Sequence, residues 1–197
     1  MPTPHRRAYY MAMPLTLPHY TIADLDRIPA DGNRYEVLAG MLLVTPGAGG
    51  LHQSILSRLF AEITYYLRPV GLAYAVSPGG ILSGSDTRLE PDLLVIPSRY
   101  FGVDWREMSV RWLAVEVSGR SSRVHDRDYK RNAYLDLGVR EVWRVDLRDR
   151  VIYVSRPGDP PDQPQDERLE WYPPEMPGPL VLDVPALFQG YQPSNWS

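Results

Sequence analysis

The sequence predicts an α/β sandwich built on a mixed β-sheet, and three features of its patterning carry that expectation. An amphipathic helix over 51–67 precedes three short apolar strands at 72–76, 92–96 and 112–117. A second helix over 126–137 follows. It leads into a strand at 141–146 and another at 151–154. Helices and strands in this order fold as layers, with the helices covering the sheet.

Each element has a local cause. Leu51, Ile55, Leu56, Leu59, Phe60, Ile63, Tyr66 and Leu67 recur at the helical period, and Pro69 and Gly71 end the run. Before that helix, Arg34-Tyr-Glu36-Val-Leu and Met41-Leu-Leu-Val read as a β-hairpin turning on Ala39-Gly40. This hairpin is an N-terminal extension of the core. Thr21-Ile-Ala-Asp24 opens a short helix. Asp126 lies near the start of the second long helix and Gly138 at its stop. Arg148-Asp149-Arg150 links the two later strands, and 157–164 is a proline-rich loop. A short β segment and a turn around Pro185-Ala-Leu-Phe188 finish the chain. Residues 1–20, with Pro2, Pro4, Pro14 and Pro18, form an arm, and 21–197 form one domain.

Composition excludes several classes. Of the 197 residues 44% are apolar, enough for a core and too many for a disordered chain. With no cysteine there is no disulfide framework, thiolate metal site or cysteine nucleophile. No apolar run approaches the roughly 18 residues of a membrane span, and prolines interrupt the N-terminal segment where a secretory signal would need an apolar core. A soluble cytoplasmic protein is expected, with no membrane partner. The net charge of −3 is not that of a dedicated nucleic-acid binder. Charge is uneven, however: 118–150 holds nine cations against six acids. Such a block is either a solvated face or local positive potential beside the candidate site, where a phosphate backbone would need it.

Of the 21 lysines and arginines only Lys130 is a lysine. Arginine drift in a GC-rich genome explains the rarity of lysine by itself, so the position of the survivor is what matters. An ammonium is a compact point charge and does not substitute for a guanidinium fork. Lys130 follows two carboxylates at strand positions, Asp92 in Pro91-Asp92-Leu-Leu-Val and Glu116 in Leu113-Ala-Val-Glu116-Val. Asp, Glu and Lys together are the parts of a metal-dependent phosphodiesterase site.

Periodicity aims these groups. Alternation along 112–117 puts Glu116 on one face with Ala114 and Trp112, and Leu113, Val115 and Val117 on the other. A carboxylate in so apolar a strand needs a metal, a cation or an exit to solvent. Asp126, Lys130, Ala133, Tyr134 and Leu137 share the sheet-facing side of the second helix. Two roles stay open for Lys130: a site residue, or a stem over the core whose amine pairs with Asp126. His52 lies within the apolar arc of the first helix, as a satisfied core histidine or a group lining the site. Glu36 alternates with apolar neighbours and can reach the same place, while Glu62 falls on the rim.

The ordered set Tyr35-Glu36-x-x-x-Gly40, His52, Pro91-Asp92-Leu-Leu-Val, Val115-Glu116-Val117, Asp126-x-x-x-Lys130-x-x-x-Tyr134 and Gly138-Val-Arg-Glu141-Val-Trp143-x-Val-Asp146 resembles the Uma-two family of restriction endonuclease-like proteins. That family is placed in the PD-(D/E)XK nuclease superfamily, and the resemblance runs from Tyr35 to Phe188. It implies a restriction-endonuclease-like core and a Mg²⁺-dependent endonuclease that hydrolyses DNA phosphodiester bonds. Asp92 then matches the first acid of the superfamily and Glu116 the second. Ser118 stands where the usual pattern has lysine, and Lys130 looks like that lysine moved to the neighbouring helix. Asp92, Glu116 and the Val117 carbonyl would hold Mg²⁺, with Mn²⁺ as the substitute. Lys130 would be catalytic beside the two acids. Glu36, His52, Asp126 and Tyr134 would support them, and Arg123 and Arg127 would bind flanking phosphates. By analogy with enzymes that cut both strands of a duplex, a homodimer is expected. One departure is Ser118-Gly119-Arg120, where the family commonly has Leu-Ser-Pro. The acidic net charge keeps a second reading open, a catalytically idle nuclease-fold protein that binds nucleic acid or a protein partner.

Overall fold

A computed structural model describes residues 18–118 and 129–190. Most of the expected arm at 1–20 lies outside them, as do Arg123, Asp126, Arg127 and the start of the second long helix. Three sheets and four α-helices, the first of them α1 (Ile22–Leu25), are found among the described residues. The larger sheet has six strands in the order β10-β9-β8-β7-β6-β3. In chain order these are β3 (Ala73–Val76), β6 (Leu93–Pro97), β7 (Leu113–Ser118), β8 (Val142–Asp146), β9 (Val151–Ser155) and β10 (Gln163–Gln165). Only β7 and β8 are parallel, because α3 (Arg131–Asp136) lies in the crossover between them. The sheet is mixed, as expected.

The N-terminal hairpin is not a lone extension. Strands β1 (Arg34–Leu38) and β2 (Met41–Thr45) join β4 (Ile81–Ser83) and β5 (Thr87–Leu89) in a second sheet, ordered β2-β1-β5-β4. The hairpin turns on Ala39 and Gly40, both at positive φ (47° and 80°). Two such residues in a row match the right-handed twist of the flanking strands. A third pairing, β11 (Arg168–Trp171) with β12 (Leu180–Asp183), closes the C-terminal end before the short helix α4 (Val184–Leu187).

Apolar side chains sort the layers. The long helix α2 (Gly50–Leu67) buries Ile55, Leu56, Leu59, Ile63 and Leu67. They meet Leu93, Val95, Leu113, Val115, Val117, Trp143 and Val145 from one face of the large sheet. Burying such a side chain is worth roughly 1.5–3 kcal/mol, so this face anchors the fold. After α2, Pro69 breaks the helix and Gly71, at φ 72°, turns the chain into β3. Arg58 ties α2 to α4, donating from Nη1 to the carbonyls of Leu187 (2.7 Å) and Gln189 (2.8 Å). Trp143 and Trp171 meet edge-on at 5.7 Å inside this core.

The opposite face of the large sheet carries Leu94, Ile96, Ala114 and Val142. Leu43, Ile81 and Leu89 of the small sheet cover it, together with Tyr134 of α3. Here one expectation is corrected. Trp112 packs with Leu113 and the α2 side, not with Ala114 and Glu116. Strand β7 begins only at Leu113, so the alternation of a pleated strand does not yet apply at Trp112. The functional side chains collect on the second face, between the two sheets.

Candidate active site

The site starts where the β6–β7 ladder stops. Leu93 pairs with Val115, and carrying this antiparallel register one residue further sets Asp92 beside Glu116. Pro91 has no N–H to extend the ladder and its carbonyl accepts from the Gly79 N–H at 2.9 Å, so the Asp92 side chain serves as the acceptor for β7. Its Oδ2 accepts from the Val117 backbone N–H at 2.8 Å. Ser77 Oγ donates to the Asp92 carbonyl at 2.7 Å. Two acids placed side by side on one sheet face repel each other and need cations between or beside them.

The cations come from elsewhere in the fold. Arg34 and Glu36, two apart on β1, share a face as the strand period requires. Arg34 Nη1 lies 2.7 Å from Asp92 Oδ1 and Nη2 lies 3.7 Å from Glu116 Oε2. Its Nε stands 3.6 Å from Glu36 Oε2. Lys130 comes in from the opposite side. Its Nζ is 3.2 Å from Glu116 Oε1 and 2.6 Å from Glu36 Oε2. Tyr134, one helical turn after Lys130, donates its hydroxyl to Glu116 Oε1. Glu36 Oε1 accepts from the Glu90 N–H at 2.7 Å. His52 Nε2 makes a 2.9 Å hydrogen bond to Asp92 Oδ2. An ionised carboxylate only accepts, so that nitrogen carries the proton.

Burial makes these contacts consequential. Glu36 is 0% exposed and Lys130 1%, and Asp92, Glu116 and Tyr134 are buried with them. Burial pushes the Asp92 carboxyl up, but the His52 hydrogen bond, Arg34 and the Val117 N–H outweigh it, and its pKa falls below the usual carboxylate value. Burial also works against the Arg34 charge. Glu116, Asp92 and Glu36 prevail, and its pKa rises above the ordinary guanidinium range. Burial, reinforced by Glu116 and Glu36, raises the Tyr134 hydroxyl well above its ordinary value. The centre therefore holds an ionised Asp92, a charged Arg34 and a neutral phenol donor.

The structure thus brings together Asp92, Glu116, Lys130, Glu36, His52, Tyr134 and the backbone of Val117. His52 reaches Asp92 from α2, and Glu62 is exposed. Arg123, Arg127 and Asp126 fall outside the described residues. Arg34 is the member the sequence reading passed over. Its signal was the spacing Arg34-x-Glu36, which puts both side chains on one strand face.

The donor set can be tested against a divalent ion. Mg²⁺ takes hard oxygens, one or two carboxylates, and fills the rest of its shell with waters. Asp92 Oδ1 and Glu116 Oε2 both turn toward one cation, the Arg34 guanidinium, which stands in for a shared positive charge. Among the described residues no three His, Asp or Glu side chains are grouped to hold a metal. An ion here would therefore rest on the Asp92 and Glu116 carboxylates, with backbone oxygen and water completing its shell. That set fits Mg²⁺ or Mn²⁺.

A fold of two sheets with a carboxylate–lysine centre at the end of an apolar strand defines a restriction-endonuclease-like α/β protein. The sequence profile of Uma2, described as "Putative restriction endonuclease", matches residues 22–191, and the chain belongs to that family. Among solved structures it is similar to a "putative nuclease belonging to DUF820" from Anabaena variabilis ATCC 29413. That match has a TM-score of 0.68 at 17% identity and covers 86% of this chain and 97% of the other. At such identity the likeness speaks for the fold. No curated protein matches the chain. No helix among the described residues is long and apolar enough to cross a membrane.

Proposed function

We propose that this protein is a divalent-metal-dependent endonuclease that hydrolyses DNA phosphodiester bonds, with Mg²⁺ as its ion and Mn²⁺ as a substitute. The observation that carries this reading is the convergence of Asp92, Glu116 and the lone lysine, Lys130, in one buried centre. Membership of a restriction-endonuclease family supports the nuclease class.

Asp92 and Glu116 would hold the ion, with the Val117 carbonyl as a backbone ligand. A divalent ion held there would supply Lewis acidity toward a phosphoryl oxygen and an attacking water. The chain's own groups do the positioning. His52 and the Val117 N–H fix the Asp92 carboxylate, and Tyr134 fixes that of Glu116. Lys130 supplies a preorganised positive charge where negative charge grows on the phosphoryl oxygens. Glu36 steadies the Lys130 ammonium. Arg123 and Arg127, which precede α3, would grip flanking phosphates. Cutting both strands of a duplex would take two copies of the chain facing each other, and sedimentation with and without DNA measures that.

The closure of the ion cluster upon itself favours a second reading, an idle nuclease fold that binds nucleic acid or a protein partner. Plasmid nicking separates the two. The endonuclease reading expects nicking by the wild type with Mg²⁺ or Mn²⁺ and none by Asp92→Asn or Lys130→Met. A wild type inert on single-stranded, duplex, branched and RNA substrates with both metals would favour the idle fold.

A further inference from the structure

Arg34 is the charged group of the centre that the metal-dependent reading leaves without a task. Its guanidinium contacts Asp92 Oδ1 at 2.7 Å and approaches Glu116 Oε2 at 3.7 Å. These are the two carboxylates an ion would need. A guanidinium and a divalent ion cannot occupy the same space between them.

Arg34 holds that place imperfectly. One well-formed hydrogen bond reaches Asp92, while its approaches to Glu116 and Glu36 are longer than hydrogen bonds. Its Nε is buried with no hydrogen-bond partner, which costs the group its desolvation. Glu36 Oε2, fully buried, likewise has no hydrogen-bond partner. It touches the Lys130 ammonium at 2.6 Å, out of hydrogen-bonding line. Arg34 also has the way out: its side chain is 25% exposed, against 0–5% for the three carboxylates and 1% for Lys130.

We infer that Arg34 is a resident counter-cation that a divalent ion displaces, so that this arginine sets the metal affinity of the site. The inference rests on the metal-dependent reading above and adds how that site is loaded. While Arg34 stays in, the site is incompetent for metal. Apparent affinity is lowered by the fraction of molecules with Arg34 out.

The test is calorimetric titration of Mn²⁺ into the full chain as wild type, Arg34→Gln, Arg34→Lys and Asp92→Asn. If Arg34 is out in a tenth of molecules or fewer, Arg34→Gln binds Mn²⁺ at least about tenfold more tightly than the wild type. Arg34→Lys, whose single ammonium cannot span two carboxylates, falls between them. In the wild type the Arg34 Nε–H resonance shifts on adding Mg²⁺, with the midpoint of metal binding. That measurement decides the matter even if Arg34→Gln does not fold. Binding by Arg34→Gln equal to or weaker than wild type, with Asp92→Asn silent, would overturn the exchange and leave the metal site standing. No binding by wild type, Arg34→Gln and Arg34→Lys alike would overturn both.

Discussion

The Lys130 ammonium lies 2.6 Å from Glu36 Oε2, joining the crossover helix to a strand of the small sheet. Glu36 is 0% exposed and Lys130 1%, so neither charge has water to fall back on. The only lysine of the chain is therefore also a tie between the two sheets' layers, because Glu116 of the large sheet shares its ammonium.

Replacing Lys130 with methionine keeps the stem and removes the charge. Glu36 and Glu116 then lose a buried partner, and breaking such a pair typically costs about 3–5 kcal/mol. Urea unfolding of Lys130→Met should show a loss of that order. A loss near zero would mean that the ammonium is solvated in solution. Adding Glu36→Gln to Lys130→Met should recover part of the loss, since one unpaired carboxylate disappears.

Tyr134 gives a pH signature. Its folded pKa is raised above the ordinary value of 10.0. A raised folded pKa contributes stability that is fully present below the unfolded value and lost as pH rises through the folded one. Wild-type stability should therefore fall with increasing pH above about 10, more steeply than that of Tyr134→Phe. At neutral pH the same variant loses the hydrogen bond to Glu116, worth about 1–3 kcal/mol when a buried acceptor is left unsatisfied. Chemical unfolding at pH 7 and at stepped alkaline pH reads both effects. Parallel pH curves for the two proteins would refute the assignment.

A ligand bound to the native state alone stabilises it in proportion to its occupancy. With Mg²⁺ at a hundredfold excess over its dissociation constant the gain is about 2.7 kcal/mol. The wild-type melting temperature should rise with Mg²⁺ concentration, and that of Asp92→Asn should not. An equal rise in both would move the ion away from Asp92.

Much of this centre was legible because strong periodic segments carry it. Helix α2, strands β6 and β7, and the aim of Glu116 and Lys130 follow from apolar spacing. What escaped depends on contacts distant in sequence. Strands β4 and β5 have three residues each, too few to show an alternation, so the second sheet was invisible beyond its first hairpin. Arg34 stands at the head of a strand in a chain full of arginines. Nothing local says that this one faces two carboxylates supplied by β7 and the turn before β6. The side of Trp112 was misjudged because alternation was extended past the true start of β7.

Anomalous diffraction from crystals soaked in Mn²⁺ tests the metal centre most directly. The expected result is one peak between the Asp92 and Glu116 carboxylates, at roughly 2.0–2.3 Å from an oxygen of each, with the Arg34 side chain withdrawn from its contact with Asp92. A map with no peak between these two acids, and Arg34 still bonded to Asp92 at saturating Mn²⁺, would contradict it.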